Sequence, residues 1–346
     1  KNNTIRDEDL VENSIEMRGE ADGKFDKEDK IIFYAESPVK WKLDNNGHYY
    51  HQQNYYTDTS YVFLTVGNDP GKRINSISSE TKPPDISTNE YDNYDVHELD
   101  RQSTITKEIK GGRTWWGEEF SAIAEQEFKF NFDNVVNGSS AYVKLATAAR
   151  SFVASSFVLD AGITKNLITQ IIPAVNDNFE DAFAHTNVSG APFNPASNSI
   201  SFLLKYNKTS NIATGFLDYI EVNVKSDLNF SNGKQLPFRN AELLDTGKII
   251  EYSINTTGKP NLWDVTDFHN VKNQLSLNQI ITSFTFRSEV RGLKQFIAFD
   301  DVSLKNPTMF IHVPNQNLHG TDPVDMVIVS HPDFLKAAND LAAYHL

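Results

Sequence analysis

The sequence predicts a mainly β fold: two β-sandwich-like modules, followed by the first strand and helix of a truncated α/β domain. Many short stretches alternate apolar and polar residues with period two, which is typical of half-buried strands. Turn sequences at 44–47, 137–138, 231–233 and 256–258 separate these stretches. Near the end, the apolar run 326–329 precedes apolar residues at helical spacing after Pro332, a pattern typical of a parallel strand and its crossover helix.

The alternating stretches place strands at 30–36, 60–67, 199–207, 216–225, 248–254, 283–289 and 293–301. In 216–225 the alternation predicts two distinct faces. One face carries Phe216, Ile220, Val222 and Val224, and the other carries Leu217, Tyr219, Glu221 and Asn223. The stretch 139–161 also has apolar residues at helical spacing, but its β-branched and aromatic residues favour two strands. The stretch 163–175 is compatible with either a strand or a helix.

Two polar stretches predict the domain boundaries. Residues 70–95 are rich in Ser, Asn and Asp and contain Pro83-Pro84, which indicates a long surface loop. Residues 313–325 indicate a linker into the terminal strand and helix. The predicted domains are therefore an N-terminal β module at 1–95, a second β-sandwich module at 96–315, and the linker with the first βα unit at 316–346.

Composition excludes several classes of function. A net charge of −14 argues against nucleic-acid binding, because phosphate contacts need clustered Lys and Arg. The chain has no cysteine, which excludes disulfides, a thiolate zinc site and a cysteine nucleophile within these residues. No stretch reaches the roughly 18 to 20 apolar residues of a membrane-spanning helix. The sequence indicates no cofactor and no metal site.

Three motifs have both a chemical and a structural interpretation, and the structural one is favoured for each. The stretch GNDPGK at 67–72 has one residue fewer between its glycines than a phosphate loop, and Arg73 follows its lysine. His48 and His51 could begin a metal site, but no third ligand is identifiable nearby. The carboxylates Asp22, Asp26, Glu28 and Asp29 surround a glycine turn without the final bidentate Glu of a calcium loop.

Trp115 and Trp116 in RTWWGEEF are the candidate binding residues. Adjacent strand residues point to opposite faces, so one ring can enter the core while the other faces outward. The outward ring would offer a platform for a sugar or a partner chain, and packing under a loop or against a neighbouring domain is the alternative. Glu118 and Glu119 diverge in the same way, which argues against a pair of catalytic acids.

Several motifs, taken in order, resemble the PorU-like signal peptidases of the Bacteroidetes type IX secretion system, members of the gingipain-type cysteine peptidase family. Residues 22–67 resemble the family's N-terminal region, with an acidic turn, the strand DKIIFY, Trp41 and the stretch from His51 to Asn54. The stretch 96–120 resembles the family's His-Glu pair followed by Gly-Arg-x-Trp-x-Gly-Glu-x-Phe. Residues 215–224, NLWDVTDF at 261–268 and the terminal stretch 324–345 match further family landmarks.

The resemblance implies a caspase-like α/β domain after the β modules, in which a His–Cys pair performs catalysis. It implies removal of the C-terminal secretion signal from exported cargo, and in some species a sortase-like transfer to lipopolysaccharide. It also implies a place at the cell surface and outer membrane, with a PorV-like β-barrel partner and secreted cargo proteins as partners. No catalytic residue can be assigned here, because the family's His and Cys lie further downstream.

The alternative from another class is a stand-alone surface β-sandwich that recognises carbohydrate or protein through the exposed tryptophan. A purely structural adhesin fragment is a third possibility. The residues encoded after Leu346 would distinguish these from the peptidase hypothesis.

Overall fold

The mainly β fold predicted from the sequence is confirmed by the computed structural model, which describes residues 10–54, 56–100, 115–176, 178, 182–244, 247–314, 320 and 322–345. Its contacts group the chain into two compact units, Lys1–Leu304 and Lys305–Leu346. The predicted domain boundaries near residues 95 and 315 stay predictions.

The strands before residue 100 are short, apart from the last. They are β1 Ile15–Arg18, β2 Lys30–Phe33, β3 Lys40–Leu43, β4 Tyr49–Gln52, β5 Asn75–Ile77, β6 Ile86–Thr88 and β7 Glu90–Glu98. The next group comprises β8 Glu119–Phe120, β9 Glu125–Asn131, β10 Ala141–Arg150, β11 Ser155–Ala161, β12 Thr164–Ile172, β13 His185–Phe193, β14 Ser199–Asn207 and β15 Thr214–Asp227. The last group comprises β16 Asn229–Phe230, β17 Leu236–Arg239, β18 Lys248–Thr256, β19 Asn261–Asp264, β20 Lys272–Gln274, β21 Asn278–Ile280, β22 Ser283–Val290 and β23 Gln295–Phe299. Short 3₁₀ turns lie at Glu20–Asp22, Ala241–Leu243, Asp301–Ser303 and Pro332–Phe334, and α1 spans Leu335–His345.

The first sandwich consists of two antiparallel sheets. One has the order β13-β10-β15-β7, with β8 added to β15, and the other has the order β12-β11-β14-β9. Fully buried side chains from both sheets, among them Leu145, Phe157, Phe202 and Ile220, form its core. Each fully buried Phe stabilises the fold by about 1.5–3 kcal/mol. The two strands favoured for 139–161 are confirmed as β10 and β11, and β12 covers most of the stretch that the pattern left open.

A β-bulge in β15 changes the predicted faces of that strand. The register with β10 shifts between Ala146 and Thr147, which leaves Asp218 as the extra residue. A bulge of one residue reverses the alternation beyond it. Leu217 therefore joins Ile220 in the core, whereas Phe216 lies on the outer face, so the prediction that Phe216 shares a face with Ile220 was wrong. Beyond the bulge, the alternation follows the prediction.

The second sandwich pairs the sheet β16-β18-β22-β21, which β6 joins, with the sheet β17-β23-β19-β20-β5. Phe286 and Phe238 are fully buried between the two sheets. The opposite face of the second sheet carries a further cluster around Trp263 and Ile297, against which Ile32 of β2 packs. The strands predicted at 248–254, 283–289 and 293–301 are confirmed as β18, β22 and β23.

Two predictions about the N-terminal region were wrong. Residues 60–67 form no strand among the described residues, and their apolar side chains are exposed, because no neighbouring strand is paired with them there. Residues 70–95, predicted as a loop, contain β5, β6 and most of β7. β7 pairs with β15 over nine residues. The sequence of β7 does not alternate between apolar and polar residues, because only one of its side chains, Tyr91, is buried.

The second unit contains the terminal helix. The helix predicted after Pro332 is confirmed as α1, and the ring Nδ1 of His331 accepts a hydrogen bond from the backbone N–H of Asp333 at the turn before it. No residue of α1 is buried. The predicted strand at 326–329 does not form in the described part of this unit, since a parallel strand needs neighbours in a sheet. In the described residues, no helix has the length and apolar character needed to cross a membrane.

Candidate functional site

A hairpin formed by β3 and β4 lies on the outer face of the first sandwich. Its turn is closed by Asp44, whose Oδ1 accepts hydrogen bonds from the backbone N–H groups of Asn46 and His48. Gly47 supplies the positive φ of 84° that this turn requires. The turn predicted at 44–47 is confirmed, and it joins two short strands, β3 and β4, that were not predicted.

The Asn223 side chain fixes the hairpin against β15. Its Oδ1 accepts a hydrogen bond from the backbone N–H of Tyr49 at 2.6 Å, and its Nδ2 donates to the carbonyl of Tyr49 at 2.9 Å. Ring stacking adds to this attachment. The His48 ring lies 3.6 Å from the Tyr142 ring, and Trp41 lies 4.1 Å from Tyr94, centroid to centroid.

His51 lies between two carboxylates at the centre of this interface. Its Nδ1 is 2.6 Å from Oε1 of Glu221, and its Nε2 is 2.9 Å from Oε2 of Glu98. The backbone N–H of His51 also donates to Oε1 of Glu221 at 2.8 Å. Gln53 donates to Glu98 from the other side. The side chains of His51, Glu98 and Glu221 are all at least 87% buried.

The surroundings of His51 strongly affect its protonation. Burial alone would lower its pKa, but the hydrogen bonds that His51 donates to Glu221 and Glu98, together with the negative charges of these carboxylates, outweigh burial and raise the pKa of His51 from 6.5 to about 9. Burial has the opposite effect on the pKa of nearby Asp218. Burial, reinforced by the charges of Glu98 and Asp100, raises the pKa of Asp218 to about 7. The Nζ atom of Lys144 lies 3.4 Å from Oε2 of Glu221 and supplies further positive charge.

This arrangement holds charge in place rather than creating a reactive group. Neither nitrogen of His51 is available to a substrate, because each contacts a carboxylate. The two histidines considered as metal ligands have separate roles: His48 stacks on Tyr142, and His51 is held by the glutamates. Among the residues that the structure describes, no group of three or more His, Asp or Glu side chains could hold a metal ion.

Trp115 and Trp116 differ in burial, although they precede β8 rather than lying in the strand that the sequence predicted. Trp116 is buried and stacks on Phe216 at 5.2 Å, beside Ala148. Trp115 is 44% exposed. Glu118 and Glu119 also diverge: Glu118 is buried, with its Oε1 2.8 Å from Nε2 of His97, and Glu119 is exposed.

The structure supports the structural interpretation of the two loop motifs. The Nζ atom of Lys72, the lysine of GNDPGK, donates to the carbonyl of His269 at 2.7 Å. In the acidic turn, Asp26 accepts a hydrogen bond from the backbone N–H of Glu28, and Asp29 accepts one from that of Asp26. These carboxylates stabilise the turn itself.

Sequence reasoning did not identify the cluster around His51. The sequence did contain one indication of the cluster. Glu221 and Asn223 were predicted on the same face of β15, and polar side chains on one face of a long strand indicate that polar groups from another element contact that face. Their partner could not be found, since Glu98 and His51 are distant in sequence and β7 was not recognised as a strand. The registers of β7 with β15 place Glu98 opposite Tyr219 and therefore close to Glu221.

Comparisons with known proteins support a fold rather than a sequence family. No protein-family model matches the chain, and no curated protein matches it in sequence. The crystal structure of dimeric latent PorU from Porphyromonas gingivalis superposes with a TM-score of 0.79 and 21% identity, over 99% of this chain and 32% of the PorU chain. The chain thus spans about a third of the length of that protein.

Two carbohydrate-binding modules give much weaker similarity. The CBM36-1 domain of a multidomain xylanase from the hindgut metagenome of Trinervitermes trinervoides has a TM-score of 0.25 and 10% identity, over 38% of this chain and 96% of its own. A CBM36 module in complex with calcium and xylotriose has a TM-score of 0.23 and 10% identity, over 38% of this chain and 98% of the module. Such scores support no inference about this chain. The similarity to PorU extends over almost every residue, and the chain therefore has the fold of a PorU-like N-terminal region, as its motifs implied.

Proposed function

We propose that this chain is the N-terminal, non-catalytic region of a surface cysteine endopeptidase and transpeptidase of the gingipain type. The parent protein would remove the C-terminal secretion signal from cargo of the type IX secretion system. The observation that carries this proposal is the PorU-like fold over 99% of the chain. The order of the family motifs along the sequence supports it independently.

The chemistry of the chain fits a supporting role. It contains no cysteine, so it cannot supply the thiolate that a peptidase of this type needs. The His51 cluster binds one structural element to another and leaves no free base. The two sandwiches would support and orient a catalytic domain and offer surfaces to a PorV-like outer-membrane barrel and to cargo, at the cell surface.

The direct test is to incubate the purified chain with a cargo protein that carries its C-terminal signal. Intact mass measurement should show uncleaved cargo, and release of the signal would contradict the proposal. The coding sequence after Leu346 provides a second test. We expect it to continue into an α/β domain with a downstream His and Cys, and a stop codon there would contradict the proposal.

The exposed ring of Trp115 favours one further candidate, a surface module that binds carbohydrate or protein. A glycan array probed with the chain and with Trp115→Ala tests it. Ile163→Ala is the matched control, because Ile163 is also exposed but lies in the turn between β11 and β12. Binding that is lost only in Trp115→Ala would favour this candidate, and absence of binding would exclude a glycan ligand on that array.

A further inference from the structure

Residues 10–54, here called the N-terminal brace, contact both sandwiches. At one end, the backbone N–H of Ser14 donates to the carbonyl of His269 at 3.2 Å, and Ile15 is hydrogen-bonded to Lys72. Ile32 packs into the outer cluster of the second sandwich around Trp263. At the other end, the hairpin β3–β4 lies on the first sandwich through Asn223 and the His51 cluster. The brace therefore connects the two sandwiches through separate contacts at its two ends.

The hairpin end depends on polar contacts as well as on ring stacking. Of the hairpin residues 40–52, only Tyr49 is buried as a whole residue, although the side chain of His51 is buried too. Its two strands have four residues each, and an isolated two-stranded hairpin is marginal in water. The second sandwich adds cation–π contacts, since the guanidinium of Arg239 lies 5.9 Å from the Tyr49 ring and the Nζ atom of Lys40 lies 5.7 Å from the Phe268 ring. The hydrogen bonds of His51 and Asn223 are therefore needed, together with the stacking of Trp41 and His48, to keep the hairpin docked.

Both nitrogens of His51 must donate when Glu98 and Glu221 are ionised. Glu98 and Glu221 contact opposite nitrogens, and an ionised carboxylate can only accept hydrogen bonds. An imidazole has two N–H groups only when it is protonated. Loss of the proton would leave a nitrogen lone pair facing a carboxylate oxygen in a buried site, where an unpaired acceptor is strongly unfavourable.

We propose that the hairpin end of the brace is a proton-dependent latch, in which protonated His51 fastens the hairpin to Glu98 and Glu221 and deprotonation undocks the hairpin while both sandwiches stay folded. This proposal is independent of the proposed function. It makes the hairpin end of the brace responsive to the pH of the surrounding medium.

The other charged groups around His51 determine that the hairpin undocks when the pH rises. β7 and the residues after it present Glu98 and Asp100, and β15 presents Asp218, Tyr219 and Glu221. β10 contributes Lys144, the one cation that pairs with Glu221 besides His51 among the described residues. When His51 loses its proton, the remaining carboxylates repel one another with less compensation. The pKa of His51, raised to about 9, agrees with this direction.

The pH range follows from the sign of that shift. A histidine whose pKa is higher in the docked state stabilises docking fully below its ordinary pKa of about 6.5, and this stabilisation is lost as the pH rises through about 9. The raised pKa of Asp218 acts in the same direction at lower pH, since its ionisation weakens the docked state as the pH rises through about 7.

Hydrogen exchange measured by mass spectrometry tests the latch on the whole chain. The amides of Tyr49 and His51 donate to Asn223 and Glu221 across the interface, so they report docking directly. After correction for the intrinsic pH dependence of exchange, protection of the peptide covering 48–54 should fall by about tenfold or more between roughly pH 6 and pH 10. Peptides from β10 and β18 should keep their protection.

Variants separate the latch from general alkaline effects. His51→Gln should show low hairpin protection at every pH. The Gln amide carries no positive charge, and it donates hydrogen bonds from one nitrogen only, so it cannot replace protonated His51 between the two carboxylates. Should that variant fail to fold, Glu98→Gln serves instead, and it should move the loss of protection to lower pH. His48→Gln is the matched control and should keep the wild-type pH response, because His48 stacks on Tyr142 without contacting either glutamate.

Two results would overturn the proposal. One is hairpin protection that stays constant across this pH range in the wild-type chain. The other is loss of protection in β10 and β18 at the same pH as in the hairpin, which would mean that the whole unit unfolds and that no local latch exists.

Discussion

The Nδ1 atom of His51 lies 2.6 Å from Oε1 of Glu221, although the two residues are separated by 170 positions in the sequence. This contact joins a short N-terminal hairpin to the longest strand of the first sandwich. Glu221 is almost completely buried, and its two oxygens contact His51 and Lys144. A buried carboxylate with two cationic partners is stable only while both partners remain.

Replacement of Glu221 should therefore be strongly destabilising. Glu221→Gln would leave His51 and Lys144 without their shared anion, and we expect it to lower the free energy of unfolding by about 3 kcal/mol. Urea denaturation followed by circular dichroism measures this. Glu127→Gln is the control, because Glu127 is exposed on β9 and its ion pair with Lys129 lies at the surface, so it should change the midpoint little. Equal midpoints for the two variants would contradict the importance of the His51–Glu221 pair.

Asp218 should oppose stability at neutral and alkaline pH. Its pKa is raised to about 7 by burial and by the charges of Glu98 and Asp100, so ionisation above that pH weakens the folded state. Asp218→Asn should raise the free energy of unfolding by about 2 kcal/mol near pH 8 and change it little near pH 4. Thermal unfolding at both pH values measures the difference. A variant that is destabilised equally at both values would show that the Asp218 carboxylate is structurally required.

The two adjacent tryptophans should differ sharply in their effect on stability. Trp116→Ala removes a buried ring that stacks on Phe216, and it should lower the free energy of unfolding by about 3 kcal/mol. Trp115→Ala removes an exposed ring and should change it by no more than about 0.5 kcal/mol. Denaturation curves of the two variants measured side by side provide the comparison. A larger effect for Trp115 would contradict the observed orientation of the two rings.

Much of the fold could be predicted from local patterns in the sequence. The strands β14, β18 and β22 alternate clearly because one face of each enters a core, and the turn at 44–47 has the residues that a tight hairpin requires. One tryptophan of the pair Trp115 and Trp116 is buried and the other is exposed, as expected, although the strand assumed for them does not form.

The features that were missed depend on contacts distant in sequence. β7 is a strand because β15 pairs with it, not because of its own polar sequence. The bulge at Asp218 has no local sequence signal, yet it moves Phe216 to the outer face. Conversely, residues 60–67 have the alternating pattern of a strand, but they form no strand and their apolar side chains are exposed. The His51 cluster combines residues from β4, β7, β10 and β15, so no single stretch of sequence contains it.

We propose that this chain belongs to a protein that processes type IX secretion cargo. Disruption of its gene in the source bacterium, followed by mass spectrometry of the secreted cargo, tests this proposal. We predict cargo that retains its C-terminal signal, with processing restored by the full-length gene and not by a gene that encodes these 346 residues alone. Normally processed cargo in the disrupted strain would contradict the account.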